Sequence, residues 1–466
     1  MTVSFVDLPI ELLPFVVESV VKPQHLAALC LVDRTFNAVS TARLYERVVI
    51  YAWYREAKER IRLVFRTLAE HPHLARHVHS LELRDFPKSL SSSTYTTLHT
   101  HVLAALAHCT NLRACTWTRD GSLDDAILSA LHTGCPRLAA LEINGNDGGY
   151  YDPRMLTHFT ALERLALVMP SPGVVDVLPV WMAGTGAALR NLTLICKAST
   201  SVTDDLLLAI APALVRLEHL YITGCPKVTH RGIIALVASN TAGLISLGLE
   251  GLSQSFDTAA FNTACARTSA LRRLASITLT VHTHTPLTEW TARVQELLWD
   301  APLESFQVYA TGAFVRAPGA DAFWAGVVAR HGARLRRFSA HRVHVGLAAV
   351  REICAGCPRL ERMFIVAEQD ELETMAEHLS HARSLRAVHV TFPMNEAAFP
   401  QVLAADALLL AKRCAWSVSQ VGCNTKVWHV KRSVARDAES GEWRTETSLG
   451  PYENPDIPEP FLVIRA

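Results

Sequence analysis

The feature that most constrains this chain is a hydrophobic pattern, L-x-x-L-x-L or a close variant, which recurs twelve times at separations of 24 to 34 residues. A period of this length is typical of folds in which similar units stack side by side and bury a continuous core between them. Such a stack presents one long surface rather than a single deep pocket, and a long surface suits binding to other macromolecules. The pattern begins at Val78, Leu112, Leu138, Leu162, Leu189, Leu217, Leu244, Leu274, Leu303, Leu335, Leu360 and Leu385.

The segment that begins at Leu217 shows how one repeat is built. Leu220 and Ile222 are separated by a single residue, which is the period of a half-buried strand. Pro226 then removes a backbone donor and ends the strand, and Thr229 is placed to cap a following helix. Each repeat therefore predicts a strand, a turn and a helix, and the whole array predicts an α/β fold.

The same segment, Leu217-x-x-Leu220-x-Ile222-x-x-Cys225, resembles the leucine-rich repeats of the cysteine-containing subtype. The resemblance implies a solenoid with parallel strands on its concave face and helices on its convex face. The last position of the motif holds Asn or Cys only at Asn146 and Cys225. Because the side-chain ladder of the family is mostly absent, we expect an irregular array of about twelve repeats.

The N-terminal segment, residues 5–50, does not follow the repeat. Three short helices are predicted there, the first beginning near Pro9, the second over His25–Leu31 and the third over Arg34–Leu44. A module of about 45 residues has a marginal core when it stands alone, and a partner could complete it. The expected organisation is a helical module over residues 1–50, a solenoid over 51–412 and a C-terminal cap over 413–466.

Within this module, Leu8-Pro9-Ile10-Glu11-Leu12 and the segment of residues 25–37 resemble an F-box. In that family the F-box docks onto Skp1, which links it to a cullin ubiquitin ligase. An alternative is that the same leucines form the core of the module itself. Carried over residue by residue, the resemblance implies a Skp1-facing set of Leu8, Pro9, Leu12, Leu13, Leu26, Leu29 and Val32.

An F-box directly before leucine-rich repeats resembles the F-box/leucine-rich-repeat proteins that are abundant in fungi. That combination implies a substrate-recognition adaptor of an SCF-type ubiquitin ligase, in which the F-box binds Skp1 and the repeats bind a protein substrate. Two alternatives stay open from the sequence. One is a protein–protein interaction scaffold without ligase linkage, and the other is an enzyme with a composite site on the concave face.

The strand residues that alternate with the buried ones are expected to point into the concavity. In the first half of the array they are small and mildly acidic, whereas the last four rows carry aromatic, Arg and His side chains, the residue types that anchor interfaces. A one-residue slip near Arg337 would move this set to the opposite face. The predicted substrate-binding residues are Tyr309, Arg337, His341, Arg362, Phe364 and His389.

The tail after Lys412 leaves the repeat pattern. The segments of residues 427–430 and 443–447 predict a β-hairpin, joined by a polar stretch that contains Ser440 and Gly441. Since a solenoid must cover its last repeat, the tail is interpreted as a cap. The alternative is a tail that binds substrate.

Composition narrows the class of protein further. The balance of 45 basic and 44 acidic residues gives no support for nucleic-acid binding through a phosphate-tracking patch. The sequence has no run of 18 apolar residues and no secretory leader, so neither a membrane partner nor export is expected. Eleven cysteines in such a chain are interpreted as reduced thiols of a cytoplasmic or nuclear protein.

The sequence also offers little for metal or catalytic chemistry. Cys354-x-x-Cys357 lacks the second ligand pair that a zinc site needs, and the clusters His71-x-His73 and His282-x-His284 occupy turns and strand edges. Hydrolase, zincin and phosphate-loop motifs are absent. We therefore expect no metal, no cofactor and no intrinsic enzymatic activity.

Overall fold

The structure is a computed structural model that describes residues 9–51, 56–87, 90–282, 285–311, 320–393, 404–436 and 443–452. These residues form two compact units. The first unit holds the described residues up to Cys196 together with Pro212–Arg216, and the second holds Lys197–Ala211 and the described residues from Leu217 onward. In both units strands alternate with helices along the chain, so each has the architecture of a leucine-rich-repeat solenoid.

The described strands of the first unit form a parallel sheet in which strand order follows chain order. The strands are β1 (Arg47–Ile50), β2 (Ser80–Leu83), β3 (Ala114–Trp117), β4 (Ala140–Asn144), β5 (Arg164–Val168) and β6 (Asn191–Ile195). The helices are α1 (Leu13–Glu18), α2 (Pro23–Leu29), α3 (Arg34–Glu46), α4 (Ala57–Glu70), α5 (Pro72–Ala75), α6 (Ser92–His108), α7 (Asp125–Gly134) and α8 (Pro172–Thr185), with 3-10 helices at Ile10–Leu12 and Pro153–His158.

In the second unit, the described strands pair in parallel from β7 (His219–Thr223) through β8 (Ser246–Glu250), β9 (Ser276–Val281), β10 (Ser305–Ala310), β11 (Arg337–His344), β12 (Arg362–Val366) and β13 (Ala387–Thr391) to β14 (Gln420–Cys423), and an antiparallel pair, β15 (Lys426–Arg436) and β16 (Trp443–Pro451), follows. The helices are α9 (Asp204–Ile210), α10 (His230–Ser239), α11 (Thr258–Thr268), α12 (Leu287–Leu298), α13 (Ala320–His331), α14 (Leu347–Gly356), α15 (Leu372–Leu379) and α16 (Ala404–Arg413), with a 3-10 turn at Gln369–Glu371. A further 3-10 turn, Ala211–Ala213, begins with the last residue of the Lys197–Ala211 segment and continues into Pro212–Arg216.

The repeat pattern marks the core. All twelve first positions of the motif, from Val78 to Leu385, are buried. Aromatic residues pack the strands against the helices. The ring centroid of Phe306 in β10, which is fully buried, lies 6.0 Å from that of Phe323 and 6.3 Å from that of Trp324, both in α13. The α/β repeat fold predicted from the sequence is confirmed.

The register of the strands is also the predicted one. Tyr309 lies opposite His341, and Arg337 lies opposite Arg362. Phe338, which a one-residue slip would place on the other face, is fully buried. The slipped register is therefore wrong, and the alternate residues of each strand form what we name the open face of the sheet. β11 departs from regularity only after this point, where Arg342 has a φ of 59° and the pairing with β12 shifts.

An acidic residue in the first turn of a helix connects one repeat to the next. Oδ1 of Asp204 in α9 accepts hydrogen bonds from the backbone N–H of Thr229 (2.8 Å) and of Gly232 (3.0 Å), and Oδ2 accepts one from Oγ1 of Thr229 (2.6 Å). Gly232 lets the two helices approach, since a Cβ there would lie 2.7 Å from Oδ1 of Asp204. The carboxylate thus supplies partners to the donors at the start of α10.

The parallel sheet continues beyond the boundary predicted at Lys412. β14 pairs in parallel with β13, and its segment is buried at Val418, Val421 and Cys423. These residues have the spacing of L-x-x-L-x-L without a leucine. The predicted boundary is therefore too early by one repeat.

The C-terminal part contains the predicted hairpin, formed by β15 and β16 in antiparallel pairing. Arg432 of β15 secures the end of α16, because its guanidinium donates to the carbonyls of Ala411 (2.9 Å), Ala415 (3.3 Å) and Trp416 (2.9 Å). Its Cζ also lies 5.6 Å from the centroid of the Trp416 ring. One side chain thereby supplies a donor to the carbonyl of Ala411 in the last turn of α16 and connects it to carbonyls of the segment that follows the helix.

Two rings of the open face occupy space that a neighbouring glycine leaves free. A Cβ at Gly248 would lie 1.9 Å from the ring of Tyr221, and a Cβ at Gly422 would lie 1.9 Å from Nδ1 of His389. In both pairs the two residues are direct neighbours on adjacent strands. Each glycine is therefore required by the ring beside it.

Candidate interaction surfaces

The N-terminal module has a small core. Leu13, Val17 and Leu26 are buried, and a ring of partly buried apolar residues packs against them. Asp33 caps α3 by accepting a hydrogen bond of 2.8 Å from the backbone N–H of Phe36. The three helices predicted from the sequence are present, whereas their assignment as an F-box stays a prediction. The partly buried residues are Val20, Leu29, Phe36, Val39 and Leu44.

The predicted Skp1-facing residues divide into two groups. Pro9, Leu12 and Val32 are exposed. Leu13 and Leu26 are buried in the core of the module, because they lie on helix faces that pack against α3. These two leucines are therefore not part of the surface of the module. Leu29 packs partly against the same core, and Leu8 lies outside the described residues.

Several exposed apolar residues of the module were missed by the sequence reasoning. The exposed fractions are 61% for Ile10, 69% for Phe15 and 87% for Leu31, beside 60% for Val32 of the predicted set. Val16 and Val21 are exposed as well. Helical spacing could have found part of this set, since Leu12, Phe15 and Val16 follow one stripe of the first helical turns while Leu13 and Val17 follow another. So much exposed apolar area around so small a core is typical of a binding surface.

On the open face of the second unit, four rings form a row across β10 to β13. Ring centroids lie 6.0 Å apart for Tyr309 and His341, 6.4 Å for His341 and Phe364, and 6.0 Å for Phe364 and His389. Arg342 adds a guanidinium 5.6 Å from the centroid of Tyr309. Four of the predicted substrate-binding side chains are thus brought together.

Only part of this row of rings is accessible to a partner. Phe364 and His389 are buried, whereas Tyr309 and His341 are half-buried. Burial of the imidazole of His389 follows from its position over Gly422, and Nε2 lies 2.8 Å from the carbonyl oxygen of Asn424. Phe364 and His389 therefore pack within the structure, which corrects their placement as exposed contact residues.

Arg337 and Arg362 lie side by side at the start of β11 and β12. Arg362 is exposed and Arg337 is half-buried. Together with Tyr309 and His341 they are the part of the predicted contact set that solvent reaches. Their contact with a substrate stays a prediction.

The histidines of this region are held neutral by their surroundings. Burial lowers the pKa of His341 to about 4, and burial likewise lowers that of His389 to about 4. A hydrogen bond to the backbone at Asn424 raises the pKa of His389 in part and does not offset burial. Both imidazoles of the row are therefore uncharged near neutral pH.

The first unit has a trough of about 340 Å³ on the open face of β2 to β6. Small side chains, among them Ala114, Ala140 and Ala166, line it. Its two acids are paired, since Arg84 donates to both carboxylate oxygens of Glu142 at 3.0 and 3.3 Å and Arg47 donates to Glu82 at 2.7 Å. The mildly acidic character predicted for this half is thus neutralised by Arg47 on the strand next to Glu82 and by Arg84, which follows β2 and reaches Glu142 two strands away.

The described residues show two further features that bear on function. None of their helices has both the length and the apolar composition needed to cross a bilayer. Within the same residues, His, Cys, Asp and Glu side chains do not gather in groups of three or more that could hold a metal ion.

No protein-family model and no curated protein matches this chain. Solved structures that it resembles include the leucine-rich-repeat protein LegL7 from Legionella pneumophila, at 10% identity over 66% of this chain and 93% of that chain, with a TM-score of 0.37. The yeast complex of Rad7 and Elc1 is similar at 15% identity over 75% of this chain and 93% of the other, with a TM-score of 0.40. The TLR13–ssRNA13 complex is similar at 12% identity over 68% and 46%, with a TM-score of 0.31. At such identities the likeness concerns the fold alone.

Proposed function

We propose that this chain is a non-catalytic adaptor of a ubiquitin ligase, in which the N-terminal module binds a Skp1-like protein and the repeats bind a protein substrate. The proposal rests on the F-box-like sequence of the module and on the leucine-rich-repeat architecture that follows it. Its contribution to reaction rate would be proximity, because binding raises the effective concentration of the substrate near the ligase. Such a protein acts in the cytoplasm, the nucleus or both.

The observation that carries the proposal is the exposed apolar surface of the module. Ile10, Phe15, Leu31 and Val32 leave most of their side-chain area in water although the buried core beneath them has three residues. Burying them against a partner helix would gain roughly 1.5–3 kcal/mol for each well-buried side chain. A module that is marginal alone is stabilised when this surface is covered.

For the substrate, the proposal uses the open faces of the strands. In the first unit the trough of β2 to β6 has paired charges and small side chains, which allow close approach of a partner. In the second unit the solvent-accessible set is Tyr309, Arg337, His341 and Arg362. Tyr and Arg side chains are typical anchors of protein interfaces.

The test is a binding assay between the full chain and a purified Skp1-like protein. The variant Phe15→Asp with Leu31→Asp places two charges on the exposed surface and leaves Leu13, Val17 and Leu26 in place. We expect at least about a hundredfold loss of affinity, because interface anchors contribute about 2 kcal/mol or more each. The matched control is Val180→Asp, which changes an exposed valine of α8 and should leave binding unchanged.

The outcomes separate the proposal from a plain scaffold. Tight binding that is lost in the double variant and kept in the control supports the adaptor. Absence of binding by the unmodified chain contradicts the ligase linkage and leaves an interaction scaffold. Equal binding by the double variant, with an unchanged circular dichroism spectrum, shows that the surface around Phe15 and Leu31 is not the site.

A further inference from the structure

The helices of the first unit form a groove that is separate from the open face of its strands. A groove of about 260 Å³ runs between α4 and α6. Arg62 and Arg66 line it from α4, four residues apart and therefore on one helix face. Ser93, Thr97 and His101 line it from α6 at the same spacing, so two rows of polar side chains face each other across the groove. Leu63, Thr94 and Leu98 complete its lining.

The charge of the groove is positive. Arg62 is paired with Glu59, since Nε and Nη2 donate to the two carboxylate oxygens at 3.0 and 2.7 Å. The pKa of Glu59 is lowered by that hydrogen bond and by the charges of Arg62 and Arg66. Among the described residues, Arg66 has no ion pair with a carboxylate and its side chain is exposed. The guanidinium of Arg66 is thus available to a ligand, and that of Arg62 can exchange Glu59 for an anion of higher charge.

The polar groups of α6 do not all serve as donors. The hydroxyl of Thr97 donates to the carbonyl of Ser93 at 2.9 Å, so its single proton is already used. The imidazole of His101 differs, because its Nδ1 is buried without a hydrogen-bond partner in the described part of the chain. A buried polar atom without a partner is uncommon and can be satisfied by a ligand. The donors available to an anion are therefore the guanidinium groups of Arg62 and Arg66, and His101 lines the opposite side of the groove.

We propose that the groove between α4 and α6 binds a phosphate monoester. Two guanidinium forks at one helix face match the oxygens of a phosphoryl group, each of which can accept charge-assisted hydrogen bonds. A carboxylate has one charge and two oxygens, and it would meet competition from Glu59, which already occupies Arg62. A dianion with three terminal oxygens can bind Arg66 and Arg62 at the same time, and it replaces Glu59 as the partner of Arg62. The discriminating property is therefore the higher charge of the phosphoryl group.

The site is independent of the proposed adaptor function. Its residues lie on α4 and α6, and none of them belongs to the exposed apolar set of the N-terminal module or to the open face of the sheet. Because the charges border solvent, binding should weaken as salt screens them, over a Debye length of about 8 Å at physiological ionic strength. Affinity for a small ester is expected to be roughly millimolar.

The test uses the full chain and three probes in isothermal titration calorimetry at low salt. Phenyl phosphate supplies a free ester, N-acetyl-phosphothreonine methylamide supplies the same group on an amino-acid side chain, and N-acetyl-glutamate methylamide supplies a carboxylate. Arg66→Ala should weaken binding of both phosphates about tenfold. The matched control is Arg137→Ala, an exposed arginine of the same unit that does not line the groove.

Glu59→Gln gives a test in the opposite direction. Removing the carboxylate frees Arg62, so the phosphates should bind about threefold tighter or better. A merely structural role of the ion pair predicts no gain. Phenylglyoxal, which modifies arginines, adds a local readout, since phenyl phosphate should protect Arg66 and leave Arg137 reactive.

The results decide both the site and the source of the ligand. Equal affinity for the two phosphates supports a site for a free ester, and tighter binding of the phosphothreonine probe supports a site for a phosphorylated side chain. Equal losses in Arg66→Ala and Arg137→Ala would overturn the proposal. So would binding of the glutamate probe as tight as that of the phosphates, or weaker phosphate binding in Glu59→Gln.

Discussion

His389 is expected to make the second unit sensitive to acid. Burial lowers the pKa of this histidine to about 4 from a reference value of 6.5. In the described structure Nε2 faces the carbonyl of Asn424 and Nδ1 is buried without a partner, so a second proton would have no acceptor. Because the folded pKa lies below the unfolded one, the unfolded chain binds more protons between pH 6.5 and 4. The stability is complete above pH 6.5 and is lost as pH falls through that window.

The magnitude follows from the lowering of the pKa. About 2.5 units correspond to about 3.4 kcal/mol in full, of which about 1.8 kcal/mol is lost between pH 7 and pH 5. His331 and His341 have pKa values lowered to about 4 as well, chiefly by burial, and they add losses in the same direction. The pKa values of His219 and His282 in the same unit are lowered by burial too, so replacing His389 should remove only its own share of the pH dependence and leave the rest.

The perturbation is His389→Phe, which keeps a ring over Gly422 and removes the titrating group. At pH 7 the variant should be less stable by about 1–3 kcal/mol, because the carbonyl of Asn424 loses its donor. Its further loss between pH 7 and pH 5 should nevertheless be smaller than that of the parent chain by about 1.8 kcal/mol. The variant is thus less stable at pH 7 but loses less stability between pH 7 and pH 5. A general loss of packing would lower the stability at both pH values and would not reduce the pH dependence.

The assay is hydrogen exchange of peptides from β13 and β14 at increasing urea, which gives the free energy of unfolding of this region at each pH. His381→Gln, which changes an exposed histidine, serves as the control and should retain the pH dependence of the parent chain. The reasoning is refuted if His389→Phe and the parent chain lose the same free energy between pH 7 and pH 5.

Four further measurements test the packing. Asp204→Ala removes three hydrogen bonds to the start of α10 and should cost about 2–3 kcal/mol in urea unfolding, whereas Asp205→Ala, at an exposed position, should stay within about 0.5 kcal/mol. Phe306→Ala leaves a cavity among aromatic rings and should cost about 3–5 kcal/mol, seen as a lower Tm in calorimetry. Arg432→Ala should cost about 2 kcal/mol and loosen α16 in hydrogen exchange, an effect that Arg432→Lys should reproduce only in part. In native protein, Ellman's reagent should label Cys30 first, because the other ten cysteines are buried; a faster second thiol would contradict that burial.

Strand positions and register could be predicted from the sequence because they depend on local spacing. Leu220 and Ile222 alternate with an open-face residue in the sequence as they do in the structure. A pattern defined by leucine does not predict β14, because its buried positions hold Val418, Val421 and Cys423. A pattern defined by burial volume rather than by residue type would have found it.

The candidate sites depend on contacts that sequence spacing does not encode. Burial of His389 requires Gly422 and Asn424, which lie more than thirty residues away along the chain. The pairing of Arg84 with Glu142 spans two strands, so the charge of the trough could not be obtained from either segment alone. In the N-terminal module, the sequence could not decide which leucines a core of three residues would use.

The rings that lie over Gly248 and Gly422 have a consequence for how such a chain can vary. One side-chain volume is shared between two positions on adjacent strands, so neither position can be substituted independently. A methyl group at 248 becomes acceptable only when the ring at 221 shrinks, and the same holds for 422 and 389. Among homologues we expect these pairs to covary, and in the laboratory a small residue at 221 should rescue Gly248→Ala.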